Sequence, residues 1–343
     1  MFTSFRRSAM VGTAGMFAAT ALLITGCTAD EGTPDSESSG SEAPSLAVVY
    51  YPQFLDGSWG EAALTGGQQL LDEGVISDFA SQENVAPGAG AVDALRDYAE
   101  EGYDIIVAHS FNYGDDVKQV AAEYPDTLFV YAGGFGDVAD NVGDYSQPFY
   151  EPAYLMGILA AGVQSTGDVG AAGGFDIPVC RAMYNSYLTG AQEVRPETAG
   201  SFVAVGDWED VQLATETALA QADSGATMFV GCGQGPTFGQ IEAAEDRGLA
   251  AVGYTGDMSG RSDQVVASFT WNLAEVFRLM VEDVAGGFDG EASYYDIGYA
   301  DGAMSVVINP AVESSIDPTA LALYTEREAA MRDGSYTVEE ITE

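Results

Sequence analysis

The sequence predicts an α/β protein of two similar lobes, each a parallel sheet with helices on both faces, and three observations carry that prediction. Short, almost wholly apolar runs such as Leu46-Ala47-Val48-Val49-Tyr50-Tyr51 alternate with amphipathic stretches of helix length, which marks strands buried on both faces. The alternation begins at Ser45 and restarts after Gln147. The chain has 343 residues, more than one hydrophobic core usually holds.

In the first half, 46–51 is a strand, 61–71 and 91–100 are helices, and Tyr103-Asp104-Ile105-Ile106-Val107-Ala108 is the next strand. A helix over 115–123 stops at Pro125, before a strand at Leu128–Tyr131. In the second half, 151–164 is a helix and 169–172 a strand. Pro178–Val194 is a long helix with proline in its first turn, where the missing N–H is not needed. Strands at 202–205, 228–231 and 250–253 enclose helices at 211–222 and 238–246, and a strand at 265–269 leads to a helix at 272–284. The end, a strand over Met304–Ile308 and a helix over Pro318–Arg332, is expected to pack across both lobes. Lobe 1 is then 45–147 with 271–300 returning to it, lobe 2 is 148–270, and 301–343 crosses between them. Crossings near 145–149 and 269–271 are expected to act as hinges.

The N-terminus carries Arg6-Arg7, an apolar stretch over 9–24, and Leu22-Leu23-Ile24-Thr25-Gly26-Cys27. A positive start, an apolar middle and small residues at the end make an export signal over 1–26. The stretch is too short and too rich in Gly, Ala and Thr for a membrane span. Small residues before Cys27 look like a lipobox, where the cysteine takes a lipid and anchors the chain outside the cytoplasm. An ordinary cleavage site with a chance cysteine is the other reading. Residues 28–44 are a polar, acidic linker. Of three cysteines, Cys180 and Cys232 remain, and they either pair or stay separate buried thiols.

Charge narrows the partners: 53 acidic residues stand against 11 basic ones, and Lys118 is the only lysine. A net charge of −42 argues against nucleic acid, anionic lipid and strongly anionic ligands, all of which it repels. The acid excess also points to a salt-adapted host.

Open α/β sheets bind ligands beyond the carboxyl ends of their strands, so those turns supply the candidates. They contain Asp56 and Trp59, then His109, Ser110 and Phe111, then Phe149, Tyr150 and Glu151. The second half adds Phe175, Asp176, Trp208, Gln234, Tyr254, Asp257 and Trp271. All three tryptophans and the only histidine fall here. Aromatic faces with a few directional carboxylates and amides suit a flat, neutral heterocycle. Each has a structural alternative: lobe packing for the aromatics, a turn bond for His109, and helix starts for Asp176 and Glu151. No cofactor or metal is expected.

The ordered series Asp56-Gly-Ser-Trp59, Tyr103-Asp104-Ile105-Ile106, Tyr124-Pro125-Asp126, Phe149-Tyr150-Glu151, Gly174-Phe175-Asp176-Ile177-Pro178, Gly190-Ala191 and Gly256-Asp257-Met258 resembles the basic membrane protein family. That family comprises lipoprotein substrate-binding components of ABC importers related to purine nucleoside receptors. The resemblance implies a periplasmic-binding-protein type I clamshell, a purine nucleoside or nucleobase as ligand, and ABC permease subunits as partners of a monomer. Trp59 sits where the family places a ring-stacking aromatic. Where many nucleoside-binding members carry Ile-Asp, this chain has Ala132-Gly133; a further Asp is Tyr254, and a lysine is missing around Thr270-Trp271. The groups expected to hold ribose are therefore absent, which favours a base over a nucleoside. Another flat solute, a flavin or a thiamine-like vitamin, is a further option.

A carboxylate-based hydrolase is the rival of another class, since Trp-lined clefts with paired acids serve many glycosidases. With acids this abundant, chance pairs are expected, and no nucleophile elbow, metal-ligand spacing or Walker-type phosphate loop is present. A structural surface lipoprotein is the remaining alternative. No catalysis is expected.

Overall fold

The computed structural model of the protein describes residues 43–343. The export signal, Cys27 and most of the 28–44 linker lie outside the described residues.

The first half contains β1 (Leu46–Val49), α1 (Trp59–Asp72), β2 (Phe79–Gln82), α2 (Ala89–Glu101), β3 (Ile105–Ala108), α3 (Gly114–Ala121), β4 (Leu128–Tyr131) and β5 (Val142–Tyr145). The second contains α4 (Tyr150–Val163), β6 (Asp168–Gly173), α5 (Pro178–Val194), β7 (Gly200–Ala204), α6 (Val211–Asp223), β8 (Ala226–Cys232), α7 (Gln234–Arg247), β9 (Ala250–Gly253) and β10 (Val265–Trp271). The chain then adds α8 (Leu273–Ala285), β11 (Tyr294–Tyr295), β12 (Met304–Ile308) and α9 (Pro318–Arg332).

Two six-stranded sheets result, ordered β11-β5-β4-β3-β1-β2 and β12-β10-β9-β8-β6-β7. Every pairing in the first sheet is parallel. The second is parallel except for its edge, where β12 runs antiparallel to β10. The apolar runs read as buried strands are buried: all four residues of β1, β3 and β4 are shielded from solvent. Helix α4 is apolar nearly all round, with 152–162 buried, because it packs on α5, α9 and strands of the second sheet at once.

In the C-terminal segment, β12 is held in the second sheet by its ladder with 267–271, and α9 packs on α4. One feature departs from the sequence reading. Strands β2, β5 and β11 were not anticipated. Phe79-Ala80-Ser81-Gln82 is an edge strand with no fully buried residue, β5 contains Gly143 and Asp144, and β11 has two residues. The pairing left open for Cys180 and Cys232 is present as a disulfide, with Cα atoms 5.4 Å apart, tying α5 to the end of β8.

Each sheet reverses strand order at one place. In the first sheet the reversal lies between β1 and β3, and in the second between β6 and β8. Turns leaving those four strands are the natural place for a ligand.

Candidate ligand-binding site

The turns enclose one cavity of about 240 Å³. Its wall is built from both sheets. The first contributes Tyr50, Tyr51 and Trp59 after β1, Ser110, Phe111, Asn112 and Tyr113 after β3, and Ala132 and Gly133 after β4. The second contributes Phe175, Ile177 and Val179 after β6, Asp207, Trp208 and Glu209 after β7, Cys232, Gly233 and Gln234 after β8, and Tyr254 after β9. The halves touch beside it: Ser58 Oγ donates to the Tyr254 carbonyl at 3.0 Å, and Gln234 Nε2 donates to the Asp56 carbonyl at 3.3 Å.

Trp59 is the fixed aromatic of the first half. Its indole Nε1 donates to the His109 carbonyl at 2.9 Å, and its ring stacks on the His109 imidazole. The Trp271 ring lies 5.2 Å from it, between centroids. On the second half Trp208 meets Phe175 edge-on at 5.1 Å. Trp208 rests on two glycines. A Cβ at Gly174 would come within 2.1 Å of its ring and one at Gly233 within 2.6 Å, and Gly233 also has φ +103°. Only glycine at both positions admits the indole there.

Of the residues singled out from sequence, Trp59, Ser110, Phe111, Phe175, Trp208, Gln234 and Tyr254 line the cavity. Eight do not. Asp56 turns inward and accepts from the amides of Ser58 and Gly60, each at 2.8 Å, and of Glu61 at 3.1 Å, so it serves the start of α1. Burial raises its carboxyl above the usual range and those amides draw it back. His109 is fully buried, and burial pushes its imidazole down to about 3. It is a support rather than a ligand contact.

Phe149 and Trp271 form the layer behind Trp59 and meet each other edge-on at 4.9 Å. Tyr150 opens α4, and the half-buried Glu151 carboxyl accepts from the Tyr299 amide at 2.7 Å, with burial raising it above the ordinary range. Asp176 neither reaches the cavity nor caps α5; it pairs with Arg181 through bonds of 2.5 and 2.7 Å. Asp257 is exposed and accepts from the Ser259 amide at 2.9 Å, which closes its own turn.

Sequence reasoning missed Tyr50, Asn112, Tyr113 and Glu209 among the lining residues. Glu209 directly follows Trp208, and the strand-end position that singled out Trp208 applies equally to it. As a residue it is exposed at the mouth of the cleft. Its carboxyl is nonetheless pushed up to about 7, first by desolvation and then by Asp56 and Asp207. Exposure limits the size of that shift, and its upward direction is what bears on the site. No lysine or arginine among the described residues lines the cavity. Among the described residues no cluster of His, Cys, Asp and Glu is arranged to hold a metal, and no helix is long and apolar enough to cross a membrane.

Residues 43–323 match the family described as ABC transporter substrate-binding protein PnrA-like. A purine-binding protein of Brucella abortus is 34% identical over 176 residues, covering 51% of this chain and 49% of that protein, so the match spans about half the relative's length. A putative ABC transporter glucose-binding protein of Haloferax volcanii is 28% identical over 273 residues, 76% of this chain and 69% of that protein. An ABC transporter solute-binding protein of Aeropyrum pernix superposes with a TM-score of 0.70 at 19% identity, over 88% of this chain and 94% of that one. One from Conexibacter woesei gives 0.66 at 21% identity, over 87% and 99%. These two likenesses establish the two-lobe α/β fold. The chain belongs to the PnrA-like family of ABC transporter substrate-binding proteins.

Proposed function

We propose that the protein is the extracytoplasmic receptor of an ABC importer, anchored by lipid at Cys27, and that it closes its halves over a purine-type base. The observation that carries this reading is the cavity itself. Trp59 stands on one side and the Phe175–Trp208 pair on the other, with amide and carboxyl groups between them. Such walls stack a flat ring and leave its edge to be read by polar atoms. A volume of about 240 Å³ lies below the roughly 300–1,000 Å³ of drug-sized sites, which favours a small ligand. Ala132 and Gly133 line the cavity where nucleoside-binding members place an acid, so a base fits the reading better than a nucleoside. The purine-binding name of the Brucella relative supports the same class.

The name of the Haloferax relative supports a sugar instead, and aromatic walls with carboxylates also suit a sugar. A thermal-shift titration with adenine, guanine, hypoxanthine, their nucleosides and glucose separates these readings. A ligand at a hundred times its dissociation constant adds about 2.7 kcal/mol of stability. A shift with the bases alone supports the proposal. A shift with glucose and with none of the purines overturns it.

A further inference from the structure

Among the described residues, three buried tyrosines line the cavity: Tyr50, Tyr113 and Tyr254. Two have committed their hydroxyls to the protein. Tyr113 Oη donates to the Val85 carbonyl at 2.5 Å, and Tyr50 Oη donates to the Asp56 carboxylate at 3.4 Å. Tyr254 differs. It is only 4% exposed, and its carbonyl accepts from Ser58 Oγ at 3.0 Å and from the Gly256 amide at 2.8 Å, but its hydroxyl meets no partner among the described residues. The Tyr187 hydroxyl is also unmet, but it is sealed in the interior, whereas that of Tyr254 keeps surface on the cavity.

The ring holds that hydroxyl in one place. Phe149 and Phe269 meet it edge-on at 5.6 and 5.4 Å, and Trp59 lies nearly parallel to it at 6.3 Å. None of the three offers an acceptor. Burial holds the phenol above its usual range, so it keeps its proton at any working pH. Without a ligand only water can meet the O–H. A ligand that fills the cavity displaces that water and must offer an acceptor or strand the donor.

We propose that Tyr254 is a specificity-determining residue of the cleft, its hydroxyl donating to an unprotonated ring nitrogen or a carbonyl oxygen of the bound heterocycle. The proposal rests on the purine reading and adds to it what the buried edge of the ring must carry: a ring that presents C–H there is disfavoured. Tyr254 also couples recognition to closure. It belongs to the second half, yet its carbonyl is held by Ser58 of the first and its ring lies against Trp59. A ligand bonded to the hydroxyl therefore favours the arrangement in which the halves meet.

Isothermal titration of wild type and Tyr254→Phe with adenine, hypoxanthine and the 1-, 3- and 7-deaza forms of each tests this, with urea unfolding of both ligand-free proteins. Tyr254→Phe should bind the preferred base about 10-fold more weakly. Its ligand-free stability should match wild type, because the hydroxyl has no protein partner to lose. If the acceptor is a ring nitrogen, wild type should bind the deaza form lacking it about 10-fold more weakly than the parent, and the variant should bind the two alike. If the acceptor is the hypoxanthine oxygen, the variant should instead lose a preference for hypoxanthine over adenine. Equal affinities in the two proteins, or a loss spread evenly over both bases and all analogues, overturns the inference while leaving the purine reading intact. So does a destabilised or unfolded Tyr254→Phe, which would show that the hydroxyl serves the fold. If wild type binds none of these probes, both readings fall.

Discussion

The imidazole of His109 lies flat against the indole of Trp59, with ring centroids 4.6 Å apart and planes 16° from parallel. The two residues also exchange hydrogen bonds. Trp59 Nε1 donates to the His109 carbonyl, and His109 Nε2 lies 2.9 Å from the Trp59 carbonyl. A carbonyl can only accept, so Nε2 carries the proton and Nδ1 accepts from the Tyr145 hydroxyl 2.6 Å away. His109 therefore holds Trp59 by its face, its edge and its backbone.

Replacing His109 by Ala should remove that support and strand the buried Tyr145 hydroxyl. A loss of about 2–4 kcal/mol in urea unfolding is expected. The wild type should also show a specific pH dependence. The folded imidazole, pushed down to about 3, binds a proton far less readily than the unfolded one at 6.5. Between those values the unfolded state holds more protons, so stability is full above 6.5 and falls by up to about 1.4 kcal/mol per pH unit toward 3. His109→Phe should lack this contribution to the slope. Equal slopes in the two proteins would show that His109 does not titrate on unfolding.

Trp59→Ala and Trp208→Ala test the two walls separately. Each should weaken binding of the best base by about 1–3 kcal/mol if the ring stacks on it. Tryptophan fluorescence of each variant reports whether the other wall still senses ligand. An unchanged dissociation constant in Trp59→Ala would remove the stacking role assigned to that side.

Where sequence and structure agree, the reason is topological. Trp59, Phe111 and Phe175 follow strands at the order reversals, Trp208 and Tyr254 follow the neighbouring strands β7 and β9, and an apolar-run pattern makes those ends legible. Depth is not legible in that way. His109, Phe149 and Trp271 also sit at strand ends or lobe crossings, yet they form the layer behind Trp59. Acids fared worst, because in a chain with 53 of them spacing alone cannot separate a ligand contact from a turn. Asp56, Asp176 and Asp257 all bond locally, and Glu209, which reaches the cavity, shares with Trp208 only its strand-end position. Strand β2 escaped because only Phe79 and Ala80 of its four residues are apolar, and Ser81 and Gln82 are polar on an exposed edge.

Glu209 should make ligand affinity depend on pH near neutrality. Its carboxyl is pushed up to about 7 by desolvation, with Asp56 and Asp207 adding to the rise. Tyr50 faces it too, held above its usual range mainly by burial, while Arg261 is held below its range by burial and drawn back up by Asp56. A ligand N–H bonded to the carboxylate favours the charged form, so binding expels a proton. Affinity for adenine should rise with pH through about 7 and level off above it, and Glu209→Gln should flatten the profile. Calorimetric titration in buffers of different ionisation enthalpy counts the released proton directly. No proton release at pH 6.5 would exclude Glu209 as a ligand contact.

The Cys180–Cys232 disulfide closes a separation of 52 residues and places Cys232 in the cavity wall, two positions before Gln234. Reducing it, or replacing both cysteines by Ala, should cost roughly 2–4 kcal/mol of stability. Since α5 and the end of β8 are no longer tied, Gly233 and Gln234 should also lose definition and ligand dissociation should quicken. Stopped-flow release from oxidised and reduced protein measures this. Identical rates would confine the bridge to a stabilising role.

Asp144 holds the wall on the opposite side. Its buried carboxylate accepts from the amides of Gly133, Gly134, Phe135 and Gly136 at 2.8–2.9 Å, and from the Tyr145 amide at 2.7 Å. That wraps 133–136 around one charge, sets Gly133 in the cavity wall and brings Phe135 edge-on to Phe111 at 5.5 Å. Asn at this position keeps the size but turns an NH₂ toward amide donors, so at least two bonds fail together. Asp144→Asn should therefore destabilise by about 2–4 kcal/mol. Hydrogen exchange at 133–136 should speed up well beyond that of β1 and β3, because the loop is released locally before the sheet unfolds. If the loop amides stay as protected as in wild type, the carboxylate is not what holds them.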